Sequence, residues 1–372
     1  MLQQTLLHGL AVLCILATLL PFHKSETWWV RACDFPRAQI ATLTGATLAG
    51  ILVFTELNAL ALMLGFALLV CLAIQLAVIL PYTPLWPVEV KRTGAAAGPR
   101  TLSLMIGNVL MENRNVDRLK DIIWTNDPDL VLAVETDEWW CAHLEGALPH
   151  HAFRIAHPLP NTYGMMLLSR LELVDPEVRF LLKPDIPSIR TGVRLRSEEV
   201  ITLYGVHPEP PSPTEADTSL PRDTELVIAG REIAQSEQPT IVAGDLNDVA
   251  WSHTSRLFRR ISRMLDPRVG RGMYNTYHAR YWFVRWPLDH VFVSDVFLLR
   301  SLKRLPAFGS DHFPIFIAAD YAPAASAVQE GAAARRRRPR RSARQADARR
   351  RHRARLTGPG GPGSAPGSGA LG

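Results

Sequence analysis

The sequence predicts an α/β domain of two packed β-sheets with helices outside, standing behind three apolar segments of membrane-crossing length. Three observations point there. Residues 5–21, 38–54 and 59–80 are almost free of charge, and each is about as long as a bilayer core requires, the first two near the short limit. Apolar runs of strand length recur at 102–106, 130–134, 164–168, 201–206, 240–244, 290–293 and 313–318 with few helical patterns between them, which indicates stacked sheets flanked by helices. Hard polar side chains sit at the ends of most of these runs.

The apolar segments come first. Three of them crowd into eighty residues ahead of a more polar region, which argues for spans rather than buried core helices. A cleaved signal peptide would account for the first run only, and Leu20-Pro21-Phe22-His23 is a poor small-residue cleavage site. Glu56-Leu57-Asn58 serves as the tight turn between the second and third spans. Trp28 and Trp29 precede the second span, and Tyr82 and Trp86 follow the third, where amphipathic aromatics favour the membrane interface. A membrane domain is thus expected over residues 1–85 and a linker over 86–100, stiffened by Pro87 and loosened between Gly94 and Gly98. A globular domain is expected over 101–321 and a tail over 322–372.

Within the globular domain, Val116, Leu119, Ile122 and Ile123 recur at helical spacing, so 115–126 is predicted helical. A second helix is predicted over 222–235, with Pro221 at its start. The proline-rich segment 208–221 cannot be regular structure; it follows His207 and is either a stiff wall beside it or a plain connector. Asn108 follows the first strand-like run, Glu135 closes the second, and His207 closes the run at 201–206. Asp245 and Asn247 lie in Gly244-Asp245-Leu246-Asn247, Asp289 opens the run at 290–293, and Asp311-His312 precedes the last run. Carboxylate, carboxamide and imidazole groups at strand ends suit holding a divalent cation against a phosphate and aiming a water at phosphorus.

Charge and cysteine usage narrow the reading. Residues 335–355 hold twelve arginines and one aspartate, a local +11 that leaves −5 for the rest of a chain whose net charge is +6. The globular domain is therefore not, by composition, a basic surface for grasping nucleic acid. The Arg-rich, then Gly/Pro/Ser-rich tail cannot bury a core and is expected to be disordered, either solvated or in contact with anionic lipid headgroups. Cys14 and Cys71 fall in spans, Cys33 in the first loop and Cys141 alone in the domain, so neither a zinc cage nor an intradomain disulfide is expected.

The runs Asn108-Val109-Leu110 with Asn113-Arg114, Pro128-Asp129 to Glu135, Gly164 to Arg170 and Val206-His207-Pro208 open a set. Gly244-Asp245-Leu246-Asn247, Leu288-Asp289-His290-Val291 and Gly309 to Pro314 complete it. Together they resemble the endonuclease/exonuclease/phosphatase superfamily over residues 101–321. The resemblance implies the deoxyribonuclease-I-like four-layer α-β-β-α sandwich. The preceding spans and the His-Pro sequence resemble membrane-bound bacterial members, including teicoplanin-resistance proteins proposed to act on lipid-linked phosphates.

On this reading Glu135 is the principal ligand of Mg²⁺ or Mn²⁺, with a capping carboxylate as its structural alternative. Asn108 helps hold the metal or a phosphate oxygen, and Asp311 orients water or adds to the metal site. Asp245 orients and deprotonates the attacking water. Asn247, two residues on and on the same side of an extended segment, donates to a phosphoryl oxygen. His207 and His312 face the phosphate from opposite walls, and Asp289 buttresses His312 and raises its pKa. His290 is expected to pack; Tyr163 and Arg190 are candidate phosphate or substrate contacts, with a packing tyrosine and a surface arginine as the preferred alternatives. No carboxylate partner for His207 stands out.

The function expected is a membrane-anchored, metal-dependent phosphoesterase acting on a phosphate mono- or diester, with membrane lipids and a lipid-linked phosphate or phospholipid as its partners. A nuclease and an inactive membrane-attached binding module are the rivals; the first would need a basic groove. For the side of the membrane, Lys24, Arg31, Arg37, Lys91, Arg92 and Arg100 point to a cytoplasmic domain. The resemblance implies an outward one, which is slightly preferred.

Overall fold

A computed structural model describes residues 2–23 and 25–329 of the chain. Of the tail expected to be disordered over 322–372, residues 330–372 lie outside the described residues, while its start is ordered: Pro323–Ala327 form a 3₁₀ turn and buried Gln329 donates from Nε2 to Phe297 O at 2.8 Å. Helices α1 (Leu2–Leu19), α3 (Arg37–Phe54) and α4 (Ala59–Ile79) pack together, and a short α2 (Trp28–Ala32) fills the first loop. With their 3₁₀ extensions the three long helices run Leu2–Phe22, Arg37–Phe54 and Ala59–Tyr82, long and apolar enough to cross a membrane. The Asn58 side chain accepts from Ala61 N at the start of α4, ending the turn after Glu56.

The rest forms two mixed sheets. The first orders β10 (Phe297–Arg304), β11 (Ile315–Tyr321), β1 (Thr101–Asn108), β2 (Leu130–Val134), β4 (Met165–Ser169) and β3 (Phe153–His157). The second orders β5 (Leu173–Arg179), β6 (Ser188–Arg194), β7 (Val200–Gly205), β8 (Thr240–Asp245) and β9 (Asp289–Val293). Leu104, Ile106, Leu132 and Leu167 of one sheet meet Ile201, Leu203, Ile241 and Val291 of the other in a shared core. Each such side chain contributes about 1.5–3 kcal/mol by leaving water.

Helices α5 (Val116–Asn126) and α6 (Glu138–Ala147) cover the outer face of the first sheet, and α7 (Leu220–Gln235) and α8 (His253–Ser262) that of the second. The result is the four-layer α-β-β-α sandwich.

Within the globular domain four strands and two helices escaped the sequence pattern, for physical reasons. β3, β5 and β10 are edge strands, half in water, so their apolar periodicity is broken by charge. β5 contains Pro176 at a shift of register between Val174 and Glu177, which an edge strand tolerates. β6 alternates buried positions with arginines. α6 begins at Glu138 behind a cap, Asp137, whose side chain accepts from Trp140 N at 2.9 Å. α8 is Arg-rich and is set by its cap, Ser252, whose hydroxyl accepts from Ser255 N at 2.9 Å.

The expected linker is also partly wrong. Val90 is buried in the shared core and Arg92 bridges Leu299 in parallel, so this stretch is a strap sewn along β10 rather than a loose tether.

Candidate active site

Topology brings the polar strand ends together. β1 and β2 are parallel, with α5 as their crossover, so Asn108 and Glu135 share one end of the sandwich. β7 and β8 are parallel across α7, which puts His207 and Asp245 at the same end. β9 is antiparallel to β8 with Asp289 opposite Asp245, and β11 is antiparallel to β1. Asp289 and His312 therefore enter from that end as well. This is where α/β sheets with parallel strands hold their ligands.

Close backbone approach fixes the details. Gly244 has φ +148°, and a Cβ there would lie 1.9 Å from the Val206 carbonyl oxygen, so only glycine lets β8 pass this close to the strand carrying His207. Glu135 and Asn247 adopt φ of +61° and +51°. Such left-handed conformations cost about 1–3 kcal/mol and cluster where side chains must be aimed.

The side chains form one connected cluster. Asn108 Nδ2 donates to Glu135 Oε1 at 2.7 Å and to Asp245 Oδ2 at 3.1 Å. Its carboxamide oxygen accepts from Leu110 N at 3.0 Å. Asn108 thus turns its nitrogen, not its oxygen, toward the carboxylates: the expected metal ligand acts here as a donor joining two acids.

His312 Nδ1 lies 2.8 Å from Asp289 Oδ2, and its Nε2 lies 3.5 Å from Asp245 Oδ2. The Ser310 hydroxyl donates to Asn108 O at 2.8 Å and accepts from His312 N at 3.0 Å, tying the end of β1 to the loop that enters β11 in the same sheet. Asp311 is half-buried; its carbonyl accepts from Ala279 N at 2.6 Å, leaving its carboxylate beside the cluster.

Asn247 departs from expectation. The segment after Asp245 is a turn, not extended: Asp245 Oδ1 accepts from Asn247 N at 2.9 Å, and Asn247 Nδ2 donates to Pro208 O at 3.0 Å. The amide therefore clamps the proline-rich wall, with one N–H left over.

His207 is buried, its Nδ1 has no hydrogen-bond partner among the described residues, and its ring sits 5.8 Å from that of Tyr163. Tyr163 is itself a buried residue whose hydroxyl donates to Glu215 Oε2 at 2.8 Å. Arg190 is held by Tyr204 Oη at 3.2 Å, away from the site. His290 packs: Arg268 Nη2 lies 2.7 Å from its Nδ1, and its Nε2 lies 2.8 Å from Asp248 O.

Sequence reasoning missed Ser310, Tyr277, whose ring stands 5.0 Å from that of His312, and the buried Asp266–Arg268 pair. Only Ser310 carried a signal, its place beside Asp311-His312.

Electrostatics follow from burial and neighbours. Burial alone would lower His312, but the carboxylates of Asp289 and Asp245 outweigh it and push it up to about 10. Burial pushes Glu135 up to about 7, only partly offset by the Asn108 hydrogen bond and His312. Asp245, though buried, is held below the usual carboxylate range by His312 and His207. Burial lowers His207 and keeps it neutral. Burial also raises Asp289; between it and His312 the proton rests on the imidazole, which has two acidic neighbours.

A divalent cation fits this donor set. Asp289 Oδ1 is buried with no hydrogen-bond partner among the described residues, and half-buried Glu135 is held by the neutral Asn108 amide rather than by an ion pair. Hard oxygens left so under-compensated match Mg²⁺ or Mn²⁺. Among the described residues, Asp245, Asp289 and His312 have ligand atoms all within 4.8 Å of one another and could hold a metal.

A two-sheet sandwich with acids and imidazoles converging on its strand ends defines a class, that of the phosphoester hydrolases. Residues 107–312 match the model of the Endonuclease/Exonuclease/phosphatase family, which covers more than half of the chain. The chain belongs to that family, whose members hydrolyse phosphoester bonds and generally use divalent metals.

Similar solved structures include an endonuclease/exonuclease/phosphatase from Beutenbergia cavernae, 16% identical, covering 60% of this chain and 72% of that one at a TM-score of 0.49. The human Nocturnin catalytic domain with bound sulfate is 17% identical over 60% and 94%, TM-score 0.48. A mannosyl-6-phosphatase of Bacteroides thetaiotaomicron is 15% identical over 58% and 98%, TM-score 0.45. No curated protein is similar at a significant level.

Proposed function

We propose that the chain is a membrane-anchored, Mg²⁺- or Mn²⁺-dependent phosphoesterase that cleaves a phosphate ester carried by a lipid, either a lipid-linked phosphate or a phospholipid. The observation that carries this is the connected Asn108–Glu135–Asp245–Asp289–His312 cluster, buried but for half-exposed Glu135, which holds a base and an acid within 3.5 Å of each other. The three helices that could cross a membrane support a lipid as the carrier.

Glu135 would hold the cation, with Asp311 beside it. His312 already carries the proton shared between Asp289 and Asp245, which makes that trio the poorer cage. Bound there, the cation supplies positive charge to a phosphoryl oxygen.

The remaining work falls to this chain's own groups. Asp245, ionised, accepts the proton of the attacking water. His312 holds its proton on Nε2, aimed from its Asp289 buttress, and donates to a phosphoryl oxygen as charge builds there or to the leaving oxygen. Neutral His207 offers a second ring from the opposite wall. Asn108 keeps Glu135 and Asp245 apart and aimed.

The test is hydrolysis of bis-p-nitrophenyl phosphate by the full-length protein in nanodiscs. Activity is expected to vanish in EDTA and to return with Mg²⁺ or Mn²⁺; full activity after exhaustive chelation would overturn the reading. A parallel screen of polyprenyl phosphates, phospholipids and DNA separates the lipid substrate from a nuclease. The domain is proposed to face outward, so an alkaline phosphatase fusion after Tyr321 should be active and a green fluorescent protein fusion there dark.

A further inference from the structure

We propose that the segment His278–Trp286 is an interfacial lip, a piece of the site's rim that seats in the anionic headgroup layer of the membrane crossed by the three helices. Three observations meet in it.

First, the end of the sandwich that carries the site is the end tied to the helical segments. Trp251 Nε1 donates to Asp34 O at 2.7 Å and Tyr82 Oη to Ala250 O at 2.7 Å, so the turn after Asp245 rests on the loop before α3 and the end of α4. Ser219 N donates to Glu26 O at 2.8 Å, which ties down the wall beyond His207. The strand ends therefore point at the lipid rather than away from it.

Second, the lip reaches the depth of a span. Gln39 belongs to the helix Arg37–Phe54, and its Nε2 donates to Phe283 O at 2.9 Å. Phe35 meets Trp286 edge-on, ring centroids 5.5 Å apart. If Arg37–Phe54 crosses the bilayer, the backbone at Phe283 lies level with its first turn.

Third, the lip's chemistry suits that depth. Tyr281, Trp282 and Phe283 are consecutive and 53, 80 and 57% exposed. A run of three bare aromatics is costly in water and favourable at a membrane interface. Arg280 and Arg285 flank them; among the described residues neither forms an ion pair with a carboxylate, Arg280 donating to Gly309 O at 3.3 Å and Arg285 lying 5.1 Å over the Phe313 ring. Basic groups there complement anionic headgroups.

The same segment borders the chemistry: Ala279 N donates to Asp311 O, and the ring of the adjoining Tyr277 lies against His312. Seating the lip would thus open the site onto the headgroup layer, where a lipid-borne phosphate already lies. The proposal rests on the membrane reading of the three helices and, for its consequence, on the phosphoesterase reading.

The experiment uses full-length protein in phosphatidylglycerol-containing nanodiscs. Trp282→Cys, in a Cys33→Ser background, carries an environment-sensitive NBD label; a control carries it at Thr125→Cys, on α5 at the opposite end of the sandwich. The label at 282 is expected to shift to the blue and lose roughly half of its intensity to lipids brominated on their acyl chains, and the label at 125 to do neither. Water-like, unquenched emission at 282 would overturn the lip. A blue-shifted label that brominated lipid does not quench would assign the surface to a protein contact and overturn it equally. Trp282→Ser/Phe283→Ser should keep full turnover of soluble bis-p-nitrophenyl phosphate, which reports folding. A wild type that cleaves no soluble ester would remove the phosphoesterase reading while leaving the depth measurement to decide the lip.

Discussion

Two buried charge clusters lie back to back in this molecule, joined through the neighbours Asp289 and His290, and they are finished to different degrees. Around His290 every partner is supplied. Arg268 grips Asp266 through two nitrogens at 3.0 and 2.9 Å, both ring nitrogens of His290 are matched, and Arg222 lies 3.4 Å from Asp248. Around His312 the accounts stay open: Asp289 Oδ1 and His207 Nδ1 have no partner among the described residues, and Glu135 is pushed up to about 7. The two histidines diverge accordingly. Burial and the Arg268 guanidinium drive His290 down to about 3, whereas two carboxylates drive His312 up to about 10. A saturated polar cluster holds strands in register; an unsaturated one keeps bonding capacity for a ligand.

That contrast can be broken by mutation. Glu135→Gln and His312→Ala should each lower turnover of a phosphodiester by roughly 10²–10³. Glu135→Gln, which keeps the side chain's shape, should change thermal unfolding little, whereas His312→Ala leaves Asp289 and Asp245 buried without their cation and should also lower the unfolding midpoint. Wild-type rates in either purified variant would remove the site assignment.

Arg268→Leu should act the other way. It leaves Asp266 buried and unpaired, a loss of about 3–5 kcal/mol, read as a drop in the unfolding midpoint. A variant as stable as the wild type would show that the His290 cluster is not the structural one.

A smaller effect sharpens the comparison. Glu225, on α7, is buried with Oε1 unpartnered, and burial followed by Glu209 pushes it up to about 8. It is unfinished, yet it lies outside the site. Its folded pKa is above the unfolded value, so its stabilising contribution is full below pH 4.5 and is lost as pH rises toward 8, by at most about 1.4 kcal/mol per unit. Glu225→Gln should flatten unfolding midpoints across that window and leave turnover untouched. An unchanged slope would mean that water or motion relieves the buried acid.

Much of the site was legible because its residues follow apolar runs that only buried strands produce. Gly244-Asp245-Leu246-Asn247 after Thr240-Ile241-Val242-Ala243 is the clearest case, since a buried strand must end where Asp245 begins. The edge strands β3, β5 and β10 were not legible, because half of each faces water and its pattern dissolves into charge. Nor was the direction of the Asn108 amide, which depends on a backbone N–H at Leu110, nor the turn that sends Asn247 to Pro208.

The sequence alone determined that apolar helices precede a strand-rich domain and that acids and imidazoles close its strands, because burial imposes a periodicity readable without coordinates. Only the tertiary structure decided which of those groups meet. Parallel pairing of β1 with β2 and of β7 with β8 carries Asn108, Glu135, His207 and Asp245 to one end, and antiparallel β9 and β11 return Asp289 and His312 to it. The docking of that end against Asp34, Gln39 and Tyr82 was equally invisible in the sequence. Those contacts join residues more than a hundred positions apart, and hydrogen bonds between loops leave no periodic trace in a chain.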